Sequence, residues 1–187
     1  MELGHTFHHV KRDFLLWYLN MRLSHRIRDQ KTIEDGDFIF RAGTRHDLKT
    51  IEKLHLAAYH VPQVSWIRRV YTFRSSQFIG VVTTKNGTLV GYDSFIINEV
   101  EAADRIIHEQ DVVIAPQFQG QGLAVKLRRY SISCYNHGSF CGVSTLAGEK
   151  DLKALRTAQK SGYAITKMSA KPPAYYLFQH LTRKQIE

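Results

Sequence analysis

The stretch Asp111-Val-Val-Ile-Ala-Pro116-Gln-Phe-Gln119-Gly120-Gln-Gly122-Leu-Ala124 reads as the end of a buried strand, a glycine turn and the start of a helix. Val112, Val113 and Ile114 supply the apolar run. Pro116 has no N–H to give a central ladder, so it marks the exit from the strand. Gly120 and Gly122 let the chain tighten and bring its backbone to a ligand where a β-carbon would intrude. The N–H groups opening the helix can then cradle a pyrophosphate. Beyond the turn, Leu123, Leu127, Tyr130 and Cys134 recur at helical spacing. On the same helix Lys126, Arg128 and Arg129 are expected to face solvent or an anionic partner.

Two common nucleotide-binding patterns do not fit. The turn lacks the Gly-Lys-Ser/Thr ending that sets a lysine and a hydroxyl against a nucleoside triphosphate. It also lacks the third glycine of the dinucleotide fingerprint, and it falls late in the chain, after several predicted strands. Instead, Gln119-Gly120-Gln121-Gly122-Leu123-Ala124 is similar to the Gln/Arg-x-x-Gly-x-Gly/Ala motif of the GCN5-related N-acetyltransferase (GNAT) superfamily. A second segment, Asp151-Leu-Lys-Ala154-Leu-Arg-Thr-Ala158-Gln-Lys160-Ser-Gly162-Tyr163, resembles that family's Asn-x-x-Ala-x-x-x-Tyr-x-Lys-x-Gly-Phe helix and turn. Asp151 stands where asparagine is frequent. Ala158 stands where the family often has the tyrosine that protonates the departing thiolate, so the usual acid cannot be assigned.

The predicted elements follow the same pattern. Strands are expected at 38–42, 78–84, 89–97, 109–114, 140–146, 163–169 and 175–181, and helices at 48–58, after 122 and at 150–161. Lys85-Asn86-Gly87 reads as a hairpin turn. Pro62 makes 61–66 irregular. Phe14, Leu15, Trp17, Tyr18, Leu19, Leu23 and Ile27 predict an N-terminal helix with a wide apolar face, packed on the sheet or on a second copy in a homodimer. The chain thus divides into an N-terminal helical extension, 1–35, and a GNAT-like acyltransferase domain, 36–187. The resemblance implies an α/β fold: a mixed, mostly antiparallel central sheet with flanking helices and two parallel strands that splay apart at the cofactor. The splay is expected between the strand containing Val113 and that near Val143. The family's acetyl-CoA, or another acyl-CoA, would then be bound by Val112, Val113 and Ile114 and by the turn Gln119, Gly120, Gln121, Gly122, Leu123 and Ala124, with its pyrophosphate on the main-chain N–H groups from Gln121 through Ala124.

An amine must lose a proton as it attacks an acyl carbon, and a carboxylate can accept it. Glu109 and Asp111 are the carboxylates nearest the splayed strand, and regular alternation would put both on one face of the sheet. Glu109, with the longer reach, is the first candidate for the base, followed by Asp111 and His108. Direct transfer from CoA is favoured over an acyl-enzyme, since no Gly-x-Ser-x-Gly elbow is present. Cys134 and Cys141 make neither a disulfide framework nor a metal signature, and no metal is expected.

The formal charge is +9, and from Gln117 onward 11 Lys or Arg stand against 3 Asp or Glu. That excess suits CoA phosphates, an acyl-carrier protein or, less well, RNA. The acceptor is expected to be a small-molecule amine, with a peptide or protein amine next. The alternatives are an acyl-carrier-protein-dependent N-acyltransferase and a noncatalytic acyl-CoA sensor or RNA-interaction protein. No apolar run reaches membrane-spanning length, and the opening residues lack a secretory pattern, so a cytoplasmic location is expected.

Overall fold

The computed structural model describes residues 2–28, 30–170 and 172–182, with side chains described from Val10 onward. Among these residues eight strands form one sheet: β1 (Ile33–Asp35), β2 (Phe38–Ala42), β3 (Ile79–Thr84), β4 (Leu89–Ile96), β5 (Ile106–Ile114), β6 (Gly142–Gly148), β7 (Ala164–Ala170) and β8 (Pro173–His180). Their order is β1-β2-β3-β4-β5-β6-β8-β7. Every neighbouring pair is antiparallel except β5 and β6, which run parallel. This is the mixed, mostly antiparallel α/β sheet that the resemblance implies.

Among the described residues six α-helices flank the sheet: α1 (Glu2–Leu23), α2 (Leu48–Tyr59), α3 (Ser65–Phe78), α4 (Glu99–Ala102), α5 (Leu123–Tyr135) and α6 (Leu152–Ser161). Adjacent residues of β4 show which helices share a face. The Tyr92 hydroxyl meets His55 of α2 at 2.9 Å, whereas Asp93 interacts with Ser131 of α5. Since successive strand residues point to opposite sides, α2 and α5 cover opposite faces. The α3 residue Tyr71 donates to the Phe95 carbonyl on the α2 side, and α6 packs beside α5.

Helix α3 occupies residues that the sequence reading leaves without a helix. Trp66, Ile67, Val70, Tyr71 and Phe78 are buried at helical spacing. The helix kinks at Arg74, whose Nε donates to Ser24 Oγ at 2.9 Å. The short elements β1 and α4 were likewise unforeseen. Strand β1 falls within 1–35 and pairs with β2.

Helix α1 forms as expected but turns a different face inward. Leu16, Asn20, Ser24 and Ile27 are buried along α1 and the turn after it, while Phe14, Leu15 and Tyr18 of the predicted apolar face are exposed. The buried asparagine explains the rotation. Asn20 Nδ2 donates to the carbonyls of Leu16 and Ile97, each at 2.8 Å, and its Oδ1 accepts from the Ile97 N–H at 2.7 Å. Satisfying that amide, just past the end of β4, fixes which side of α1 faces the sheet.

Candidate active site

β5 and β6 pair from Ile106↔Gly142 to Glu109↔Thr145 and then part. Beyond that point β5 continues on β4 while β6 continues on β8. A cleft of about 790 Å³ opens between them, bounded by α2, the glycine turn, α5 and α6. That volume lies in the range of small-molecule and cofactor sites.

The strand's own hydrogen bonds aim its backbone into this gap. The Ala115 N–H donates to the Val90 carbonyl at 2.8 Å. By antiparallel alternation the Val113 N–H also faces β4, leaving those of Val112 and Ile114 directed toward the parted β6. The Ile114 carbonyl points the same way and accepts from Gln119 Nε2 at 2.8 Å. Gln119 Oε1 in turn accepts from Lys153 Nζ at 2.6 Å, so this side chain ties the strand end to α6.

Gly120 and Gly122 adopt φ of +80° and +76°. A β-carbon at either would meet no protein atom within 4 Å, so left-handed backbone rather than crowding demands glycine. Gly122 caps α5 without a side chain. Among the described residues, the N–H groups from Gly120 through Val125 donate to no protein acceptor. Several point along the start of α5, where the helix dipole favours an anion. Lys153 and Lys160 line the same cleft.

The two candidate carboxylates do not share a face. The β4–β5 register shifts between Ser94 and Phe95: Ser94 pairs with Asp111, and Phe95 with Glu109. The bulge thus leaves Gln110 without a partner and re-aims every side chain after it. Glu109 points to the α5 side, is 1% exposed, and accepts from Arg128 Nε at 2.9 Å. Asp111 points to the α2 side, with its Oδ2 3.6 Å from His55 Nδ1 and its carboxylate against Tyr59 and Gln63. Both line the cleft from opposite walls.

Their electrostatics differ accordingly. Burial lifts the Asp111 carboxyl from an ordinary 3.8 to about 6, against hydrogen bonds from Tyr59 and Gln63 that favour the charged form. Burial also lowers the His55 imidazole, so near neutral pH it is uncharged and its contact with Asp111 is not an ion pair. On the other face, burial and then the charge of Glu109 hold Asp93 well above the usual carboxylate range. Asp93 is therefore biased toward its protonated form. Arg128 stays charged: burial opposes its charge, but the attraction and hydrogen bond of Glu109, added to the smaller pulls of Tyr163 and Asp93, more than offset that cost.

Arg128 corrects the expected cationic surface of α5. It is 4% exposed and turns inward, where the buried carboxylates supply a partner. Its Nη1 reaches α6, lying 3.1 Å from Thr157 Oγ1 and 3.4 Å from the Ala154 carbonyl. Lys126 pairs with Asp35 at 2.7 Å, and Arg129 donates to the Lys160 carbonyl at 2.7 Å.

The second motif is also in place. Asp151 caps α6 by accepting from the Ala154 N–H at 2.8 Å. Ala158 is buried in the core and offers no proton. Tyr163 is a core residue, its ring 5.9 Å beneath the Arg128 guanidinium. His108 lies next to the site, its Nδ1 2.8 Å from Ser144 Oγ and 3.4 Å from Glu101 Oε2. Cys134 and Cys141 are free thiols, and burial pushes that of Cys134 up to about 11. Among the described residues no three His, Cys, Asp or Glu side chains gather as a metal site, and no helix is long and apolar enough to cross a membrane.

Solved structures share this architecture. Ard1 from Thermoplasma volcanium matches with a TM-score of 0.66 at 14% identity, over 79% of this chain and 100% of its own. A chimera of the spermidine N-acetyltransferase SpeG from Vibrio cholerae and hSSAT matches with a TM-score of 0.63 at 20% identity, over 78% and 96%. YncA from Salmonella typhimurium, solved with its cofactor acetyl-CoA, matches with a TM-score of 0.67 at 16% identity, over 81% and 98%. At these identities the likeness establishes a common fold. Comparison with curated protein sequences gives no match. The model of the acetyltransferase (GNAT) family, however, matches residues 48–163, from the start of α2 past the end of α6. That span exceeds half of the chain, which therefore belongs to the acetyltransferase (GNAT) family.

Proposed function

We propose that this protein transfers an acyl group, in the simplest case acetyl, directly from acyl-CoA to the primary amine of a small molecule. The observation that carries the reading is the parting of β5 from β6 after Glu109↔Thr145, with the unpaired N–H groups of the Gly120–Gly122 turn on the same cleft. The pyrophosphate would rest on the N–H groups of Gln121 through Ala124. The pantetheine arm would run along β5, accepting from the N–H groups of Val112 and Ile114, and the thioester would lie in the fork. A continuous sheet would have no room for it. YncA binds acetyl-CoA on the same fold, which favours this donor.

The acceptor would enter from the α2 side, where Asp111 is the available base. A carboxyl near 6 is largely ionised at neutral pH yet basic enough to take a proton from an amine as the C–N bond forms. Glu109 is less suited, because one oxygen is held by Arg128 and the residue is sealed from the acceptor side. We therefore assign the base to Asp111 and leave Glu109 as a buried partner of Arg128. As the tetrahedral intermediate forms, a β5 N–H in the fork stabilises its oxyanion.

The test pairs acetyl-CoA and longer acyl-CoAs with a broad set of primary amines, reading CoA release alongside the intact mass of the product. Acceptor-dependent release with a matching mass increase supports the proposal. CoA binding without turnover on small amines, but with acylation of a peptide or transfer from an acyl-carrier protein, replaces the acceptor or donor named here. Donor binding without transfer in any combination makes the protein a sensor.

A further inference from the structure

We propose that Arg128, reaching the fork from α5, stabilises the departing CoA thiolate in place of the tyrosine that Ala158 lacks. The proposal rests on the acyl-CoA reading above. Three observations carry it. First, Arg128 lines the cleft, and its partner Glu109 belongs to the last β5–β6 pair before the strands part. The guanidinium therefore sits at the apex of the fork, where the thioester must lie if CoA runs along β5. Second, Nη1 spans to Thr157 and the Ala154 carbonyl, both on α6 and both bordering the cleft. Ala158, on the same helix, is buried and carries no phenol that could serve as the acid.

Third, the donor inventory is incomplete. A guanidinium carries five N–H groups, and Arg128 commits Nε to Glu109 and Nη1 to α6. Its Nη2 donates to no acceptor among the described residues. A forming thiolate can accept from it. Asp93 faces the same group, but its burial beside Glu109 favours its protonated form and so weakens its opposition to Arg128. With both ionised, the pocket would repel a thiolate.

The bulge at Gln110 then places the two proton-related tasks on opposite walls. The amine approaches from the α2 side and gives its proton to Asp111 as its nitrogen bonds to the acyl carbon. The C–S bond breaks toward the α5 side, with its electron pair going to sulfur. CoA leaves as a thiolate held by Arg128 and takes up a proton from water, while Asp111 returns its proton to solvent. Amine and acyl-CoA thus yield amide and CoA with no further reactant.

The test follows the ultraviolet thiolate absorbance of CoA bound to the full-length protein across a pH titration, with binding measured in parallel. Arg128→Met alone strands Glu109 as an unpaired buried charge, so the comparison protein is the double variant Arg128→Met/Glu109→Gln. The bound thiol is expected to ionise about one pH unit or more below free CoA in the native protein, the shift an opposite charge in contact produces. In the double variant it should return to the free value. A bound thiol that titrates like free CoA, or an equal shift in the double variant, overturns the role of Arg128 and leaves the CoA site standing. Failure of the native protein to bind CoA overturns the donor reading and this proposal with it.

Discussion

Replacing Asp111 with asparagine should stabilise the fold while removing transfer. The carboxyl rises from 3.8 to about 6 on folding, mainly through burial, a change of about two units. At about 1.4 kcal/mol per unit, the native state carries a penalty of about 3 kcal/mol for holding this charge above pH 6. Because the folded pKa is the higher one, the native state binds the extra proton between about pH 4 and pH 6. Stability from this site is therefore full below the ordinary carboxylate pKa and is lost as the pH rises through 6. Asparagine never pays that penalty, but its hydrogen bonds to Tyr59 and Gln63 lack charge assistance, which reduces the gain to about 1–3 kcal/mol. For a domain of this size the midpoint should rise by about 2–4 °C per kcal/mol. Urea unfolding of both proteins at pH 8 and pH 4 reads the effect directly. A gain at pH 8 that vanishes at pH 4 is expected. A variant no more stable than the native protein at pH 8 would refute the argument that Asp111 is a buried, destabilised carboxylate.

Other perturbations separate the parts of the account. Gly122→Val forces a β-branched residue into φ of +76°, which should cost about 1–3 kcal/mol locally and weaken acyl-CoA binding at least tenfold by calorimetry. Glu109→Gln leaves Arg128 charged and buried without its carboxylate, a loss of about 3 kcal/mol in denaturant unfolding, and adding Arg128→Met should restore most of it. Asn20→Ala strips three hydrogen bonds, two of them from α1 to Ile97 just past β4, and should cost about 2 kcal/mol with little change in donor affinity. The rate of transfer at saturating donor should fall as the pH drops through about 6, where Asp111 takes up its proton, and a flat profile from pH 5 to 7 would remove it as the base.

The glycine turn was legible because it asks for a residue type, and only glycine takes left-handed φ without strain. The parting of β5 and β6 followed from the resemblance that the turn carried. What the sequence could not display were features set by pairing across the sheet. The bulge at Gln110 depends on how Ser94 and Phe95 meet β5, and no local signal in 106–114 reveals it. It alone decides that Glu109 and Asp111 face opposite ways. Arg128 looked like one cation among several on α5, since its buried partners lie on two other strands. Helix α3 was hidden for a different reason. Pro62 drew attention to a break, and Arg68, Arg69 and Arg74 diluted an apolar spacing at Trp66, Ile67, Val70 and Tyr71 that was in fact present. On α1 the decisive residue was the polar Asn20, which a search for apolar periodicity passes over.

The most direct test of the central claim is a crystal structure of the protein soaked with acetyl-CoA. The account requires the pyrophosphate on the N–H groups between Gln121 and Ala124, with the thioester in the fork beyond Glu109 and Thr145. Acetyl-CoA bound elsewhere, or a fork left closed to it with the turn N–H groups making no phosphate contact, would contradict it.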